Sequence, residues 1–325
     1  MKKILLGIAV IVLTCSACVS KPITPIPGIT ATPAIKPDLN LIARDYPRVD
    51  GSTSTKPLHM VIACKAFGLR CVWQEPIFSE RTIAPDLKES VRAEANKVFE
   101  ATVHTGTNPA YMNLINGKTD LILVARAPSE DELNAANQNR VELDARPFAL
   151  DAFVFLVNVQ NPVDDLTIAN VRDIYTGKIM DWAILGGKGT IKAYQRDRNS
   201  GSQELMDALV MQGAPMIQAP NMIIPTMMGA VNAIGRDPLG VGYSVYYYAT
   251  FMLPDKNVNL AGVNGIKPTS ANIATRAYPL TAPVYAVTRK NLPGNSSAAL
   301  LRDWLLTAEG KAAIAESGYV PLVSP

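Results

Sequence analysis

The sequence predicts an α/β fold built as two lobes, and three observations support this. Short continuous apolar runs have the pattern of strands buried on both faces. They alternate with stretches of helical periodicity, which indicates mixed, mostly parallel sheets. A proline followed by small residues precedes two of the apolar runs, as expected where a chain crosses between lobes. The apolar runs lie at 121–125, 153–159, 241–245 and 284–288, and the helical stretches lie at 87–100, 202–211 and 297–309.

The two crossings predict how the lobes divide the chain. Residues 146–152 and 277–283 each contain proline and small residues and lead into a strand. If both are hinge strands, the second lobe is inserted into the first. We therefore expect lobe I to comprise 45–150 together with 279–325, and lobe II to comprise 151–278. A chain of 325 residues is long enough to give each lobe its own core.

The first residues have the character of a secretory signal peptide. Two lysines precede an apolar run at 4–13 that is too short to span a bilayer. Small residues and cysteines follow, which is typical of a bacterial lipoprotein cleavage site. Two small residues precede Cys18, so Cys18 suits lipidation better than Cys15, whose neighbours are bulkier. An ordinary signal peptide in which the cysteines play no part is the alternative.

A proline-rich segment follows and predicts a tether. Residues 21–38 contain five prolines with Thr, Ala and Gly, a composition that favours extended chain over a packed core. We expect a signal peptide at 1–17 and a tether at 18–44. Acyl chains on Cys18, palmitate among them, would hold the exported protein on the outer face of the cytoplasmic membrane, in the periplasm or at the cell surface. Each buried methylene adds about 0.8 kcal/mol of membrane affinity.

Charge and motif content argue against several functions. A net charge of +3 is too small to indicate a nucleic-acid partner. His59 and His104 are the only histidines, and no spaced set of His, Cys and carboxylates predicts a metal site. We expect no cofactor, no catalytic residue and no enzyme activity, although residue types alone leave a Ser–His hydrolase open. Cys64 and Cys71 could form a disulfide in an oxidising compartment or remain free thiols.

Three segments predict an anion site. Each is a turn rich in Gly, Ser or Thr that opens onto a predicted helix, at 50–55, 104–108 and 198–203. The first N–H groups of a helix are unpaired and attract negative charge, while hydroxyls add donors and glycine lets the backbone approach closely. Such turns are usually ordinary caps when they occur singly. Arg196 adds a forked donor to the third segment, and Arg126 follows the strand at 121–125, where it is either a ligand or a surface charge.

These segments carry a resemblance to a known family. The chain resembles the phosphate-binding proteins of high-affinity phosphate ABC transporters, which have the type II periplasmic-binding fold. The resemblance begins near Tyr46 and extends to the C-terminus. Its motifs are DGSTSTKPL (50–58), HTGTNPAYMNLINGKTDLILVARAPSEDEL (104–133), IANVRDIYTGKIMDW (168–182), QRDRNSGSQ (195–203) and GVGYSVYYYA (240–249). The ligand-binding residues that we expect are Ser52, Thr53, Ser54, Thr105, Gly106, Thr107, Arg126, Arg196, Ser200, Gly201 and Ser202.

The resemblance implies a clamp. Lobe I would bind the anion first, and lobe II would then close with Arg196 and the 200–202 loop. It also implies an ABC permease as partner, and we expect a monomer. Arg126 stands where well-known members carry an Asp that accepts a hydrogen bond from protonated phosphate, and an arginine cannot accept one. The alternatives are therefore a binding protein for sulfate, molybdate or tungstate, or a surface adhesin or sensor with the same fold.

Overall fold

The computed structural model describes residues 37–77 and 79–322. The proposed signal peptide, most of the proline-rich tether and Cys18 lie outside these residues. The described chain begins with a helix, Leu39–Arg44, whose Leu39 and Ile42 are buried in the core. These two apolar residues are three positions apart and therefore share one helix face. This helix lies within the segment 18–44 that we expected to form a tether.

Helices occur along the whole of the described chain, and most begin with a Ser, Thr or Asp cap. Two single π-helical turns, Asp207–Met211 and Tyr248–Met252, and a 3₁₀ turn, Thr53–Thr55, accompany them. The α-helices are α1 (Leu39–Arg44), α2 (Lys56–Ala66), α3 (Ala93–Ala101), α4 (Thr107–Ile115), α5 (Glu130–Gln138), α6 (Ile168–Tyr175), α7 (Gly201–Met206), α8 (Met227–Arg236), α9 (Ser270–Ala274), α10 (Ser297–Trp304) and α11 (Ala308–Ser317).

The strands include all four of the predicted apolar runs, except for the last residue of the runs at 121–125 and 153–159. They are β1 (Val49–Gly51), β2 (Cys71–Gln74), β3 (Thr82–Pro85), β4 (Leu121–Val124), β5 (Leu143–Asn158), β6 (Asp165–Leu166), β7 (Lys192–Ala193), β8 (Gln195–Arg196), β9 (Ile223–Ile224), β10 (Gly240–Val245), β11 (Val258–Leu260), β12 (Gly262–Val263), β13 (Thr281–Arg289) and β14 (Val320–Pro321). The fold is α/β with a mixed sheet, as the sequence predicts.

The main sheet follows the order β1-β4-β13-β5-β10-β7, with β11 and β14 also paired to β5. The pairs β1–β4 and β7–β10 are parallel. Strand β5 is antiparallel to β13, β10, β11 and β14. Antiparallel pairings therefore predominate around β5, contrary to the expectation of mostly parallel sheets. The reason is that β5 and β13 carry the chain through the centre of the sheet in opposite directions.

The two predicted crossings lie side by side in the centre of this sheet. Ala152 in β5 pairs with Thr281 in β13, and the Phe153 N–H donates to the Leu280 carbonyl at 2.9 Å. The first part of β5 pairs with β13, whereas its last residues pair with β10 and β11. The change of partner occurs at Ala152 and Phe153, next to the limit that we expect between the lobes. The lobe boundaries themselves remain a prediction.

A disulfide fixes the hairpin of β2 and β3. Cys71 at the start of β2 is bonded to Cys64 in α2, with their Cα atoms 6.1 Å apart. Closing a loop between residues seven positions apart stabilises the folded state by about 2.5 kcal/mol in the chain-entropy model. The hairpin also packs against α2, because β3 and α2 contribute Ile83, Ala84 and Ala63 to one core. The hairpin is therefore held at its base.

The predicted helix at 87–100 begins later than its apolar pattern suggests. Asp86 accepts the backbone N–H groups of Lys88 and Glu89, both at 3.0 Å, so the chain makes a turn there. A short acidic side chain that bonds nearby backbone competes with helix formation. Helix α3 consequently starts at Ala93. In the part of the chain that the structure describes, none of the helices has the length and apolar content to span a bilayer.

Candidate functional site

The three Gly/Ser/Thr segments meet at one cavity of about 540 Å³. Ten of the eleven expected ligand residues line it, and Arg126 is the exception. The cavity also has an apolar side, formed by Leu205, Pro225, Val245 and parts of Met227 and Met228. The expected residues that line it are Ser52, Thr53, Ser54, Thr105, Gly106, Thr107, Arg196, Ser200, Gly201 and Ser202.

The first segment presents the start of a helix to the cavity. Ser52 precedes the 3₁₀ turn Thr53–Thr55, which continues directly into α2. The first N–H groups of a helix lack partners within it, so those of Thr53 and Ser54 are available to an anion. Ser52 is held in place, because its Oγ accepts the Ala125 N–H at 3.1 Å. This bond joins the first segment to the end of strand β4.

The second segment is tied to the first by Asp50. The buried Asp50 carboxylate accepts the Gly51 and Thr105 N–H groups at 2.7 and 2.8 Å. It also accepts the Thr105 hydroxyl at 2.7 Å and Asn113 Nδ2 at 2.8 Å. The Thr105 hydroxyl therefore donates its only proton to Asp50 and has none left for a ligand. The donors that this segment offers an anion are instead the first N–H groups of α4, at Thr107 and Asn108.

The third segment places a buried arginine against the cavity. Arg196 donates from Nε to the Ile224 carbonyl at 3.0 Å, from Nη1 to Ser202 Oγ at 3.1 Å and from Nη2 to the Pro225 carbonyl at 3.3 Å. A guanidinium has five N–H groups, so one on each terminal nitrogen is left for a ligand. Burial lowers the pKa of Arg196 from its usual value, and a bound anion would offset that cost.

Close contact between two segments depends on Gly201. It is the first residue of α7, and a Cβ added there would lie 2.5 Å from Thr107 Oγ1. Thr107 Oγ1 in turn lies 3.0 Å from Ser52 Oγ. The N-termini of α4 and α7 therefore face each other across one small space. Only glycine lets them approach this closely.

Arg126 lies outside the cavity lining. Its guanidinium forms a bidentate pair with Glu132, with both N–O distances at 2.8 Å, and donates to the Ala127 carbonyl. It also lies over the Tyr111 ring, 5.5 Å from the centroid. Arg126 and Glu132 are both buried, so their charges neutralise each other inside the protein. The structure thus gives Arg126 a packing partner and does not bring it to the other ten residues.

Sequence reasoning missed several residues of the cavity. Helix α8 adds a further helix N-terminus, since its cap Thr226 and its first two residues, Met227 and Met228, line the cavity. A Thr before an apolar helical pattern was the available signal. Glu80 and Tyr248 also line it, and both come from segments that only the tertiary fold brings near. Burial is the larger cause of a raised pKa for Tyr248, and the nearby Glu80 carboxylate raises this pKa further.

The cavity supplies donors in abundance and lacks the ligands of a metal. Within the described residues, no group of three or more His, Cys, Asp and Glu side chains is arranged to hold a metal ion. The convergence of helix N-termini, hydroxyls and one buried guanidinium is suited to a small oxyanion. The wall of apolar side chains would exclude water around it and strengthen those contacts.

Comparison with known proteins places the chain in a family. A family model described as a PBP superfamily domain matches residues 73–309. The phosphate-binding protein PstS of Staphylococcus saprophyticus is 26% identical over 248 residues, which cover 74% of this chain and 76% of that protein. An ABC-type phosphate transport receptor from Vibrio cholerae has a TM-score of 0.59 at 22% identity, over 84% of this chain and 98% of that one.

A Clostridium perfringens structure with bound phosphate has a TM-score of 0.63 at 22% identity and covers 85% of this chain and 98% of that one. At this identity the likeness of the two structures concerns the fold. The family match extends over most of the chain, from β2 to α11. The chain therefore belongs to the PBP superfamily and has its type II periplasmic-binding fold.

Proposed function

We propose that this protein captures inorganic phosphate outside the cytoplasm and delivers it to an ABC importer. The observation that supports this most strongly is the convergence of the helix starts at Thr53, Thr107 and Gly201 with the buried Arg196 on one cavity. Relatives named for phosphate binding share the family. The ligand is held by hydrogen bonds, and no covalent bond needs to be made or broken. The proposed role is therefore transport and not catalysis.

The donors are sufficient for tight binding. Hydrogen bonds to a charged group contribute about 1.5–3 kcal/mol each. Several of them together would exceed the roughly 8 kcal/mol that micromolar affinity requires, after the costs of ordering and closure. In this proposal the first and second segments bind the anion, and closure about the β5 and β13 crossings adds Arg196 and the 200–202 loop.

The location and partners form part of the same proposal. Export by the N-terminal signal and acylation of Cys18 would hold the protein on the outer face of the membrane, where a permease is within reach. A clamp that closes about two strands needs no second copy, so we propose a monomer. When cells expressing the protein are fed radiolabelled palmitate, the label should appear on the protein itself. Cys18→Ser should abolish this labelling, whereas Cys15→Ser should not.

Isothermal titration of the purified protein, stripped of bound anion, tests the binding role. We expect phosphate to bind with micromolar affinity or better. Arg196→Ala should weaken binding at least tenfold, because two guanidinium donors and a charge are lost. Arg198→Ala is the matched control, since Arg198 is exposed on the same loop, and it should change the affinity less than threefold. An unchanged affinity for Arg196→Ala would show that the anion binds elsewhere.

A different oxyanion is the second candidate. It is favoured by Arg126, which stands shortly after the end of β4 where the resemblance implies an Asp, and whose guanidinium is paired with Glu132. Titration with sulfate, molybdate and tungstate under the same conditions separates the two candidates. Tight binding of one of these anions in place of phosphate would keep the clamp and change its ligand. If none of the four anions binds, the transport proposal fails, and the alternative of a surface adhesin or sensor with this fold is left.

A further inference from the structure

Two of the described residues that line the cavity are acids, Glu80 and Asp197. An acid is unexpected in a site whose other polar groups are donors for an anion, because like charges repel each other. A hydrogen bond offsets this repulsion when the anion carries an O–H group that can donate to the carboxylate. A carboxylate that faces such a ligand therefore selects for an oxyanion that retains a proton at neutral pH.

Asp197 is already engaged in its own loop. Its Oδ1 accepts the Asn199 N–H at 3.1 Å, and its side chain is exposed. This bond shapes the turn between Arg196 and the start of α7. Asp197 therefore has a structural role that does not require a ligand.

Glu80 differs from Asp197 in both respects. It is partly buried, and among the residues that the structure describes none donates a hydrogen bond or forms an ion pair with its carboxylate. It stands near Tyr248 in the lining of the cavity. Its oxygens are not among the buried atoms without a partner, so they remain accessible in the cavity and free to accept a hydrogen bond from a ligand.

The residue that follows Glu80 is fixed in position. The Arg81 N–H donates to the Met252 carbonyl at 2.7 Å, which attaches this residue to the π-helical turn that contains Tyr248. The Arg81 side chain lies over the Trp73 ring and pairs with Glu75 at 3.0 Å. The disulfide of Cys64 and Cys71 holds the base of the same hairpin. The backbone next to Glu80 is thus anchored beside the cavity, which lowers the cost of ordering this residue when a ligand binds.

We propose that Glu80 is the specificity-determining residue of this site, the acceptor for a proton on the bound oxyanion. This inference rests on the proposed oxyanion-binding function and assigns its selectivity to one side chain. Phosphate and arsenate retain a proton at neutral pH, so their O–H group can donate a hydrogen bond to the Glu80 carboxylate. Sulfate has no proton to donate, and Glu80 would repel it.

The test compares Glu80→Gln with Asp197→Asn and the unmodified protein, using phosphate, arsenate and sulfate in isothermal titrations at pH 7. Gln keeps the size of the side chain, removes the charge and adds donors. We expect Glu80→Gln to lower the ratio of phosphate to sulfate affinity at least tenfold, with arsenate following phosphate. Asp197→Asn should change this ratio less than threefold. Melting temperatures of both variants check that the fold is retained.

An unchanged ratio in Glu80→Gln would overturn the assignment, and a ratio that falls only in Asp197→Asn would transfer the role to that residue. Both results leave the binding function intact if the unmodified protein binds phosphate tightly. If the unmodified protein binds none of the three anions, the proposed function fails, and the role of Glu80 fails with it. The unmodified protein thus reports on the function, and the variant reports on the acceptor.

Discussion

His59 Nδ1 lies 3.1 Å from His104 Nε2, and the neighbours of the pair determine which ring atoms carry protons. His104 Nδ1 lies 2.9 Å from the Ser52 carbonyl, which can only accept, so His104 carries its proton on Nδ1. Its Nε2 must then accept from His59 Nδ1. His59 Nε2 is left to accept the Tyr46 hydroxyl at 3.1 Å. Burial lowers the pKa of both histidines, so both rings are neutral at pH 7 and this pattern of donors and acceptors follows. The chain of bonds ends on the first residue of the anion cavity.

We predict that both histidines are Nδ1–H tautomers at pH 7. Nitrogen-15 NMR of the imidazoles distinguishes the tautomers directly, and the assignment is simple because the chain contains two histidines. The neutral Nε2–H form is the commoner one for a free side chain, so the expected result is not a default. An Nε2–H signal from His104 would show that it does not donate to the Ser52 carbonyl.

We also predict that the pair makes stability rise with pH. Burial lowers the pKa of His104 to about 4 and that of His59 well below its usual value. The unfolded chain therefore binds more protons between about pH 4 and 6.5, and stability is lost as the pH falls through this window. Urea unfolding at pH 5 and 7 should show a smaller difference for His59→Leu combined with His104→Gln than for the unmodified protein. An equal difference would mean that other groups cause the pH dependence.

The sequence reasoning succeeded where a local pattern decides the structure. Helix starts at Thr53, Thr107 and Gly201 follow from Gly, Ser and Thr before apolar periodicity, and a local pattern also predicted the strands around them. It failed where a partner is set by the tertiary fold. The Thr105 hydroxyl donates to Asp50 only because β1, which carries Asp50, lies beside the second segment. No spacing in the sequence reveals this contact.

Arg126 illustrates the same limit. Its partner Glu132 is six residues away and sits in the first turn of α5, where it also bonds the Ser129 N–H in a capping box. A capping glutamate is usually half-exposed, so the sequence alone favours neither an ion pair nor a ligand role. Burial of both residues in the fold decides between them.

We predict that Arg126 stabilises the protein and does not bind the anion. Arg126→Met should lower the free energy of unfolding by about 3–5 kcal/mol, because it leaves the buried Glu132 charge unpaired. Phosphate affinity below the melting temperature should change less than threefold. Arg126→Met combined with Glu132→Met should recover part of the loss, since the pair is removed together. A tenfold loss of affinity with little loss of stability would instead make Arg126 a ligand.

We predict that Gly201→Ala weakens phosphate binding at least tenfold. The added methyl would lie 2.5 Å from Thr107 Oγ1 and would push the start of α7 away from the start of α4. Gly294→Ala is the control, because no atom lies within 4 Å of a Cβ at that position and its backbone is not left-handed. Titration of both variants with phosphate measures the effect. Equal affinities for the two variants would show that the two helix starts need not approach each other to bind the anion.

Asp151 provides the last prediction. Its contribution to stability changes with pH in the direction opposite to that of the histidines. It lies on β5 at the crossing, paired across the sheet with Ala282. Its Oδ1 accepts the Ala152 and Tyr247 N–H groups at 2.8 and 3.0 Å, while its buried Oδ2 has no hydrogen-bond partner among the described residues. Burial raises the pKa of Asp151 to about 7. The folded protein therefore binds this proton more tightly than the unfolded chain.

The contribution of Asp151 is fully present below about pH 4 and is lost as the pH rises to about 7. Asp151→Asn keeps the Oδ1 acceptor and removes the charge, so it should raise the free energy of unfolding at pH 8 by about 1–4 kcal/mol relative to the unmodified protein. At pH 4 the two proteins should differ little. Asp45→Asn, at an exposed position, should leave stability unchanged at both pH values. If Asp151→Asn lowers stability at pH 8, the ionised carboxylate is itself stabilised at the crossing, and Oδ2 has a donor that offsets its burial.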